Sequence, residues 1–398
     1  MIYQLLQLKR YIEQLIMMPW IWYGMYLAKR NPLQEEYDLF CFVPTAAAGG
    51  AERVNADIIR ICSDKKIIVF FTKKSQNTAF LPFFQQPHVT IRDISAYADN
   101  KKQYWNSFIY RGLCAAYINR QAKRPVLFSG QCNFGYKLMP HVNKDVRKVE
   151  FIHVSERKFA GITFPFIPLM DIRITGGNSL RKDHLQYYAE LGVPSKYNER
   201  WRVITTMVPL MLKQNLPRTY GLPLKVYYVG RGGAAKRVWL IIEIIRKAVA
   251  LQLPVEFHMV GPLEDEIPAD VMPLVHFYGI IRGQEALYQL HQQMDIMLMT
   301  SAFEGFPVVI MEAMANGVVP LTTAVNAIPE HITHGNNGFL ITDVVNEQSV
   351  VAQAIDVLQN LCADPGSLSA MSDAAFQYAQ THFDELSFSK EMRKALFE

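Results

Sequence analysis

The chain has 398 residues, 50% of them hydrophobic and 19% charged, which is enough for two domains with well-filled cores and excludes a disordered, collagen-like or disulfide-stapled protein. Its five cysteines are scattered without a CxxC pair, which argues against structural zinc and predicts a reducing cytosol. The net charge of +5 hides an asymmetry, because residues 1–205 carry 29 basic and 16 acidic side chains while residues 206–398 carry 12 and 20.

The amino-terminal segment, residues 1–36, is apolar and aromatic between basic flanks. Its uninterrupted apolar run (15–28) has 14 residues, fewer than the roughly 20 that a spanning helix needs. No small-residue cleavage site marks a signal peptide. Two interpretations stay open: a helix lying in the membrane interface, or an extra helix packed on the first domain. The basic surplus of the first half favours an anionic membrane surface as a partner.

From residue 38 onward, short apolar runs alternate with helical stretches. The strand candidates of the first half are DLFCFVP (38–44), KKIIVFFT, RPVLFSG, VEFIHVS and DIRITGG. A change of charge balance and several Pro and Gly residues at 205–223 mark a domain boundary. A second series of strand candidates follows it: LKVYYVG, VEFHMVG, VHFYG, DIMLMTS, VVPLTT and GFLIT. The alternation predicts two α/β domains (37–207 and 208–380), each with a parallel sheet whose strand ends bind ligand.

The segment YYVGRGGAAKRVWLIIEI (227–244) predicts a strand, a Gly-rich turn and a helix, an arrangement that binds anions. The P-loop pattern fails because Ala235 and Arg237 replace its second glycine and its hydroxyl residue. The dinucleotide pattern GxGxxA (230–235) does match at Gly230 and Gly232. An NAD-dependent oxidoreductase is therefore the alternative hypothesis, although no acid follows at about 20 residues.

Two cations, Arg231 and Lys236, flank this turn. Fixed cations can neutralise a diphosphate without a metal. The sequence carries no HExxH and no acidic triad at metal spacing, and the acidic run LEDEIPAD (263–270) is interpreted as a solvated loop. No metal site is predicted.

The block SAFEGFPVVIMEAMANG (301–317) places Glu304 and Glu312 eight residues apart at the start of an apolar helix. Eight residues of continuous helix rise by about 12 Å. Paired carboxylates that act on one bond lie roughly 5 to 10 Å apart. The spacing therefore favours a pair that grips the two ends of an elongated ligand.

Together these segments resemble the retaining GT-B glycosyltransferases, also called glycosyl transferases group 1 or glycosyltransferase family 4. The E-x7-E block (301–341) is nearly complete, and VGR…K and VHFYGII precede it in the expected order. GGAERV (49–54) resembles the first-domain glycine loop, and FIHVS (151–155) the strand-end histidine. The resemblance covers roughly residues 38–390. It implies two Rossmann-like, doubly wound parallel-sheet domains that face a central cleft, and a last helix (381–398) that crosses back to the first domain.

The resemblance also implies roles for individual residues. Glu304 would contact the donor sugar and Glu312 the ribose, while Arg231 and Lys236 would hold the diphosphate. The implied catalytic set is His153, Glu304, Arg231 and Lys236. The implied donor-binding set is Gly49, Gly50, Arg231, Lys236, Ile281, Glu304, Gly305, Phe306, Pro307, Val308 and Glu312. Two positions depart from the family pattern and could alter hinge geometry or donor choice: Thr205-Thr206-Met207 at the interdomain linker, and Ala235.

The implied function is sugar transfer from a nucleotide diphosphate-sugar to a glycan or lipid-linked acceptor, with retention of configuration and without metal or cofactor. Cell-surface polysaccharide or lipopolysaccharide synthesis at the cytoplasmic face of the membrane is the expected setting. A second alternative, a non-catalytic nucleic-acid binder that uses the basic half, leaves Glu304, Arg231 and Lys236 without a role. Nucleic acid is therefore not expected as a partner.

Overall fold

The computed structural model describes residues 2–47, 49–75, 77–154, 162–281 and 283–398. The chain forms two compact units, one made of Met1–Ile204 with Phe388–Glu398 and the other of Thr205–Ser387. The division falls after Ile204, close to the expected boundary after residue 207. Ser155, the last residue of the FIHVS motif, lies outside the described residues.

The first unit contains a seven-stranded, fully parallel sheet in the order β3-β2-β1-β4-β5-β6-β7. Its strands are β1 Leu39–Val43, β2 Ile67–Phe71, β3 Val89–Asp93, β4 Val126–Gly130, β5 Arg147–Ile152, β6 Ile172–Thr175 and β7 Trp201–Val203. The central strands β1, β2 and β4 are buried along their whole length, because helices cover both faces of a parallel sheet. The two edge strands, β3 and β7, were not among the strand candidates.

Seven helices precede the end of β7 in the described part of this unit: α1 Ile2–Arg30, α2 Gly50–Arg60, α3 Leu81–Phe84, α4 Ser95–Ala98, α5 Tyr104–Asn119, α6 Asn133–Leu138 and α7 Asn178–Leu191. Short 3-10 helices span Met139–His141, Phe164–Leu169 and Ser195–Arg200. Helix α1 packs on α5 through a face that includes Ile21, Gly24 and Ala28. The amino-terminal segment is therefore an extra helix of the first unit on that face.

The second unit contains a six-stranded parallel sheet in the order β10-β9-β8-β11-β12-β13. Its strands are β8 Leu224–Val229, β9 Val255–Val260, β10 Val275–Gly279, β11 Ile296–Met299, β12 Val319–Thr323 and β13 Phe339–Ile341. Its helices are α8 Val238–Ala250, α9 Gln284–Gln293, α10 Val308–Ala315, α11 Ile328–His331, α12 Glu347–Ala363 and α13 Leu368–His382, with 3-10 turns at Met272–Leu274 and Pro365–Ser367. All six strands coincide with the predicted ones to within two residues at each end.

The last helix, α14 (Glu385–Phe397), returns the chain to the first unit. The Arg393 guanidinium donates to the Ile61 carbonyl (3.1 Å) and pairs with the Asp64 carboxylate. The Arg147 Nε donates to the Ala395 carbonyl at 3.1 Å. Residues 388–398, rather than 381–398, belong to the first unit.

Candidate functional site

A Gly-rich turn joins β8 to α8 at the carboxyl end of the second sheet. The Gly230 N–H donates to the Val260 carbonyl (3.0 Å), which fixes the start of the turn on the neighbouring strand β9. Gly233 has φ +108°, a conformation open to glycine because it has no Cβ. The N–H groups of Lys236 and Arg237 both donate to the Gly233 carbonyl, at 3.0 and 3.2 Å. The turn thus presents Lys236 at a fixed place just before α8.

Arg237 fastens the end of this turn to the segment after β11. Its buried guanidinium donates to three backbone carbonyls, those of Thr300 (2.7 Å), Ser301 (3.2 Å) and Val344 (2.8 Å). The Thr300 hydroxyl returns a bond to the Arg237 carbonyl at 3.0 Å. Burial lowers the pKa of Arg237, yet a guanidinium stays protonated in proteins. Sequence reasoning treated Arg237 only as a mismatch to the P-loop pattern, and its left-handed backbone (φ +49°) has no signature in the sequence.

Lys236 and Glu304 are in contact next to these hydrogen bonds of Arg237. The Lys236 ammonium donates to the Glu304 carboxylate, and their side chains are 27% and 11% exposed. The Ser301 hydroxyl donates to the same carboxylate at 2.7 Å. The Glu304 N–H donates to the side-chain oxygen of Asn326 at 3.1 Å. The structure therefore places Lys236 and Glu304 in direct contact. The family resemblance had assigned Lys236 to the diphosphate and Glu304 to the sugar of the donor.

Helix α10 begins at Val308, with Pro307 as its N-cap. Glu304 thus lies in the loop before the helix, so the two glutamates are not joined by a continuous helix as the estimate of about 12 Å assumed. The Ile310 N–H donates to the Pro307 carbonyl at 3.0 Å. The start of a helix is an arrangement that can bind anions through its first N–H groups. The Phe306 ring stacks on His331, with centroids 4.2 Å apart.

The other predicted donor-site residues of this unit lie around the same strand ends. Arg231 is exposed on the turn, and its carbonyl accepts a bond from the Tyr228 hydroxyl at 2.8 Å. Ile281 packs against the apolar cluster that Phe306 and Val308 also contact. Gly305 lies between Glu304 and Phe306 and is half-buried, whereas Glu312 is buried in α10.

In the acidic run 263–270, Glu264, Asp265 and Asp270 are exposed, as expected of a solvated loop, whereas Glu266 is half-buried. The Glu266 carboxylate accepts a bond from the Gly233 N–H at 2.9 Å. A Cβ at Gly232 would lie 2.1 Å from the same carboxylate. A Cβ there would displace the end of the flexible Glu266 side chain, so Gly232 permits the close approach of Glu266 to the turn.

Three side chains on β9 and β10 could hold a metal ion: Glu256, His258 and His276. Their ligand atoms all lie within 4.8 Å of one another. The sequence did not predict this group, because His258 and His276 become neighbours only through the parallel pairing of the two strands, in which they are register partners.

In the first unit, a cavity of about 200 Å³ lies at the carboxyl ends of β1, β4 and β5. It is lined by Pro44, Ala51, Glu52, Asn55, Gly130, Gln131, His153 and Val154. The predicted Gly49 and Gly50 directly precede the lining residues of α2. Gly49 itself has an extended backbone (φ −180°) that any residue adopts.

His153 is oriented in this cavity by two amide side chains that sequence reasoning missed. Its backbone N–H donates to the Gln131 side-chain oxygen (2.9 Å), and the Nε2 of its ring lies 3.3 Å from the Asn55 side-chain oxygen. Burial lowers the pKa of His153 to about 3. The imidazole is therefore neutral at physiological pH, and with Nε2 protonated it donates to Asn55.

The glycosyl transferases group 1 family matches residues 223–360. N-acetyl-alpha-D-glucosaminyl L-malate synthase of Bacillus anthracis is 40% identical over 77 residues, which are 19% of this chain and only 20% of that protein. The solved structure of Anabaena HepE in complex with UDP-glucose is similar with a TM-score of 0.68 at 16% identity, over 90% of this chain and 99% of that one. The lipopolysaccharide outer core galactosyltransferase WaaB gives 0.67 at 18% identity, over 90% and 98% of the two chains. The fold is therefore GT-B, as the resemblance predicted.

Proposed function

Since residues 223–360 match the glycosyl transferases group 1 family, we propose that the chain transfers a hexose-type sugar from a nucleotide diphosphate-sugar to a glycan or lipid-linked acceptor. HepE was solved with UDP-glucose, which supports a donor of this class. WaaB, a lipopolysaccharide galactosyltransferase, supports cell-surface polysaccharide or lipopolysaccharide synthesis as the setting. The reaction would take place at the cytoplasmic face of the membrane, with the enzyme attached peripherally.

The observation that carries this proposal is the contact between Lys236 and Glu304 at the strand ends of the second sheet. Lys236 and the exposed Arg231 would bind the diphosphate, with further N–H donors from the start of α10 at Val308. Glu304, held by Ser301, would accept hydrogen bonds from the sugar hydroxyls. These cations would also stabilise the negative charge that develops on the leaving phosphate.

The remaining donor contacts are assigned as the family pattern implies. Glu312 would bind the ribose hydroxyls, Ile281 would lie against the base, and the backbone at Gly305 and Phe306 would contact the sugar. In the first unit, the loop at Gly49 and Gly50 would approach the phosphates. His153, neutral and held by Gln131 and Asn55, would donate a hydrogen bond to the sugar near the reacting carbon.

The reaction would proceed on one face of the sugar with retention of the anomeric configuration. The bond from the anomeric carbon to the phosphate oxygen breaks, the acceptor oxygen bonds to that carbon, and the acceptor proton passes to the leaving phosphate. No side-chain nucleophile takes part. Fixed cations provide the charge stabilisation, so neither a metal nor a cofactor is required.

The oxidoreductase alternative is not favoured. The second glycine of its GxGxxA pattern, Gly232, lies against the Glu266 carboxylate here, and the neighbouring Gly233 N–H donates to the same carboxylate. The match of residues 223–360 to the glycosyl transferases group 1 family also disagrees with an oxidoreductase.

The test is a thermal-shift screen of UDP, GDP, ADP, CMP and NAD in EDTA, with wild type, Lys236→Ala and the control Lys247→Ala, an exposed lysine of α8. A ligand at 100 times its Kd stabilises the fold by about 2.7 kcal/mol. One nucleoside diphosphate should raise the melting temperature of wild type and the control but not of Lys236→Ala. A shift with NAD alone would contradict the proposal. NMR of the product with the matching nucleotide-sugar then reports the anomeric configuration.

A further inference from the structure

Helix α1 is held to the first unit along one side only. Gly24 and Gly112 lie where α1 crosses α5: a Cβ at Gly24 would be 1.9 Å from the Ile109 carbonyl oxygen, and one at Gly112 would be 2.0 Å from that of Ile21. The two backbones therefore touch, and α1 lies firmly on α5 with a defined rotation about its own axis. The opposite side of α1 faces away from the unit.

That outer side of α1 is a continuous row of exposed apolar and aromatic side chains. They recur at helical spacing, and each is 46% to 64% exposed: Leu5, Leu8, Tyr11, Ile12, Leu15, Ile16, Trp22, Tyr23 and Tyr26. Pro19, also exposed, lies in the same row. From Leu5 to Tyr26 the row is about 32 Å long at the rise of an α-helix. An apolar surface of this size on a protein marks an interaction site.

The charges around the row are predominantly basic. Lys29 and Arg30 close its carboxyl end, and the Arg30 guanidinium lies 5.0 Å from the centre of the Tyr26 ring. The one acidic residue of α1, Glu13, is half-buried and paired with Arg10. The row itself carries no acidic residue.

The start of α5 extends the same kind of surface. The Trp20 and Phe108 rings meet edge to face at 6.1 Å, and Phe108 meets Tyr104 at 5.1 Å. The Tyr104 hydroxyl accepts a bond from the Lys137 ammonium at 3.3 Å. Trp105 is 49% exposed, and Lys101 and Lys102, also exposed, precede the helix.

We infer that the outer row of α1 docks on an anionic lipid bilayer, with the helix lying in the plane of the interface. Apolar and aromatic side chains would enter the headgroup and acyl boundary, and the lysines and arginines at the rim would meet anionic headgroups. Of the helices that the structure describes, none is long and apolar enough to cross a membrane. Charge complementarity selects anionic lipid over a second copy of the chain, which would bring the same basic rims together. The inference deepens the membrane location given under the proposed function.

The test is co-sedimentation of the full chain with phosphatidylcholine vesicles that contain or lack phosphatidylglycerol. The double variant Ile12→Glu/Ile16→Glu puts two carboxylates into the row, and Val345→Glu, at an 89% exposed valine of the second unit, is the matched control. Wild type and the control should bind the phosphatidylglycerol vesicles, less so at high salt, and the double variant should bind about tenfold more weakly. The nucleotide-dependent thermal shift should be unchanged in all three proteins, which separates this inference from the proposed function.

Two results would overturn the inference. One is that wild type does not bind phosphatidylglycerol vesicles at low salt. The other is that wild type is a dimer by light scattering and the double variant a monomer, with equal vesicle binding by both, which would assign the row to a second copy of the chain.

A second and independent feature is the group formed by Glu256, His258 and His276 in the second unit. The His258 ring is 6% exposed, and its Nδ1 is paired with the Tyr278 hydroxyl at 3.0 Å. Its buried Nε2 has no hydrogen-bond partner among the described residues and lies 3.9 Å from the Glu256 carboxylate. The His276 ring stacks on His258 with centroids 4.7 Å apart.

The geometry points to a zinc-type divalent cation between these side chains. A cation bound by both the His258 Nε2 and the Glu256 carboxylate would provide the partner that this Nε2 lacks. Histidine nitrogen and carboxylate oxygen are both common ligands of zinc. The Tyr278 contact on Nδ1 is the outer hydrogen bond that orients a metal-binding imidazole. A bound ion would join the edge strand β10 to β9. The ion would stabilise the fold of the second unit, and its site would be separate from the donor-binding turn.

Titration of tag-free protein with Zn²⁺ by calorimetry tests this site. Wild type and the control His334→Ala, an exposed histidine, should bind one ion per chain. His276→Ala, which changes an exposed ligand and leaves the buried His258 in place, should bind at least about tenfold more weakly. Equal binding by His276→Ala, or no stoichiometric binding by wild type, would mean an adventitious ion only and would overturn the assignment.

Discussion

The Lys236 ammonium and the Glu304 carboxylate, 68 residues apart in sequence, form an ion pair at the carboxyl ends of β8 and β11. The pair has two opposite effects on an incoming diphosphate. Glu304 holds the lysine in place, but its negative charge also competes with phosphate for that lysine. Under the proposed function, a donor molecule would share Lys236 with Glu304, and the two residues should affect its binding in opposite directions.

We expect Lys236→Met to weaken UDP binding and Glu304→Gln to leave it unchanged or strengthen it. The first change removes the cation that the diphosphate needs, and the second removes a neighbouring negative charge while keeping a hydrogen-bonding side chain. The rate of sugar transfer should fall in both variants. For Lys236→Met it should fall by about 100-fold or more if the lysine stabilises the negative charge on the leaving phosphate. Calorimetry with UDP and initial rates of transfer measure the two effects separately. Weaker UDP binding by Glu304→Gln would show that the positioning of Lys236 by Glu304 matters more than the repulsion between Glu304 and the phosphates.

Arg237, the neighbour of Lys236, should contribute to the stability of the fold. Arg237→Lys cannot reach the carbonyls of Thr300, Ser301 and Val344 together, and it leaves buried acceptors unsatisfied. We expect a loss of about 3 kcal/mol in the free energy of unfolding. The control is Arg246→Lys on the same helix, whose pairs with Glu243 and Asp270 are exposed and should contribute less than about 1 kcal/mol. Urea denaturation compares the two, and equal losses would contradict the role given to Arg237.

The sequence predicted the fold well because each buried parallel strand is a continuous apolar run bounded by turn residues. Strand β3, with the sequence VTIRD, was not predicted because it is a half-exposed edge strand with two charged residues. In the site, Lys236 and Glu304 were found through their motif. Asn326 and Arg237 were not, since their contacts depend on left-handed backbone conformations and on pairings between distant loops. His258 and His276 become neighbours only through strand register, which spacing along the chain does not reveal.

The crossing of α1 and α5 should tolerate no side chain at its contact point. Gly112→Ala places a Cβ about 1 Å closer to the Ile21 carbonyl than real Cβ atoms come, so the helices must separate. We expect a loss of about 1 to 3 kcal/mol and faster tryptic cleavage after Lys29 and Arg30. Gly176→Ala, where a Cβ would meet nothing within 4 Å, is the control. If both variants unfold and are cleaved like wild type, α1 is not held at this crossing.

Acid should destabilise the protein through histidines that are buried in their neutral form. Burial lowers the pKa of His184 and His291 to about 3 and that of His331 to about 4, from 6.5. Because these folded-state pKa values lie below that of the unfolded chain, the unfolded chain takes up protons first as the pH falls. The stability that each group contributes is complete above pH 6.5 and is lost between 6.5 and its folded pKa, by up to about 1.4 kcal/mol per pH unit.

His184 allows this pH dependence to be tested at one position. Neither of its ring nitrogens has a hydrogen-bond partner in the part of the chain that the structure describes, and its ring packs 5.1 Å from that of Trp201. His184→Leu should therefore fold, and its free energy of unfolding should fall less steeply between pH 6.5 and 5, by the slope that one proton contributes. His382→Leu, at an exposed histidine, should keep the wild-type slope. Urea denaturation at several pH values measures both, and a slope for His184→Leu equal to that of wild type would mean that His184 is already protonated in the folded protein.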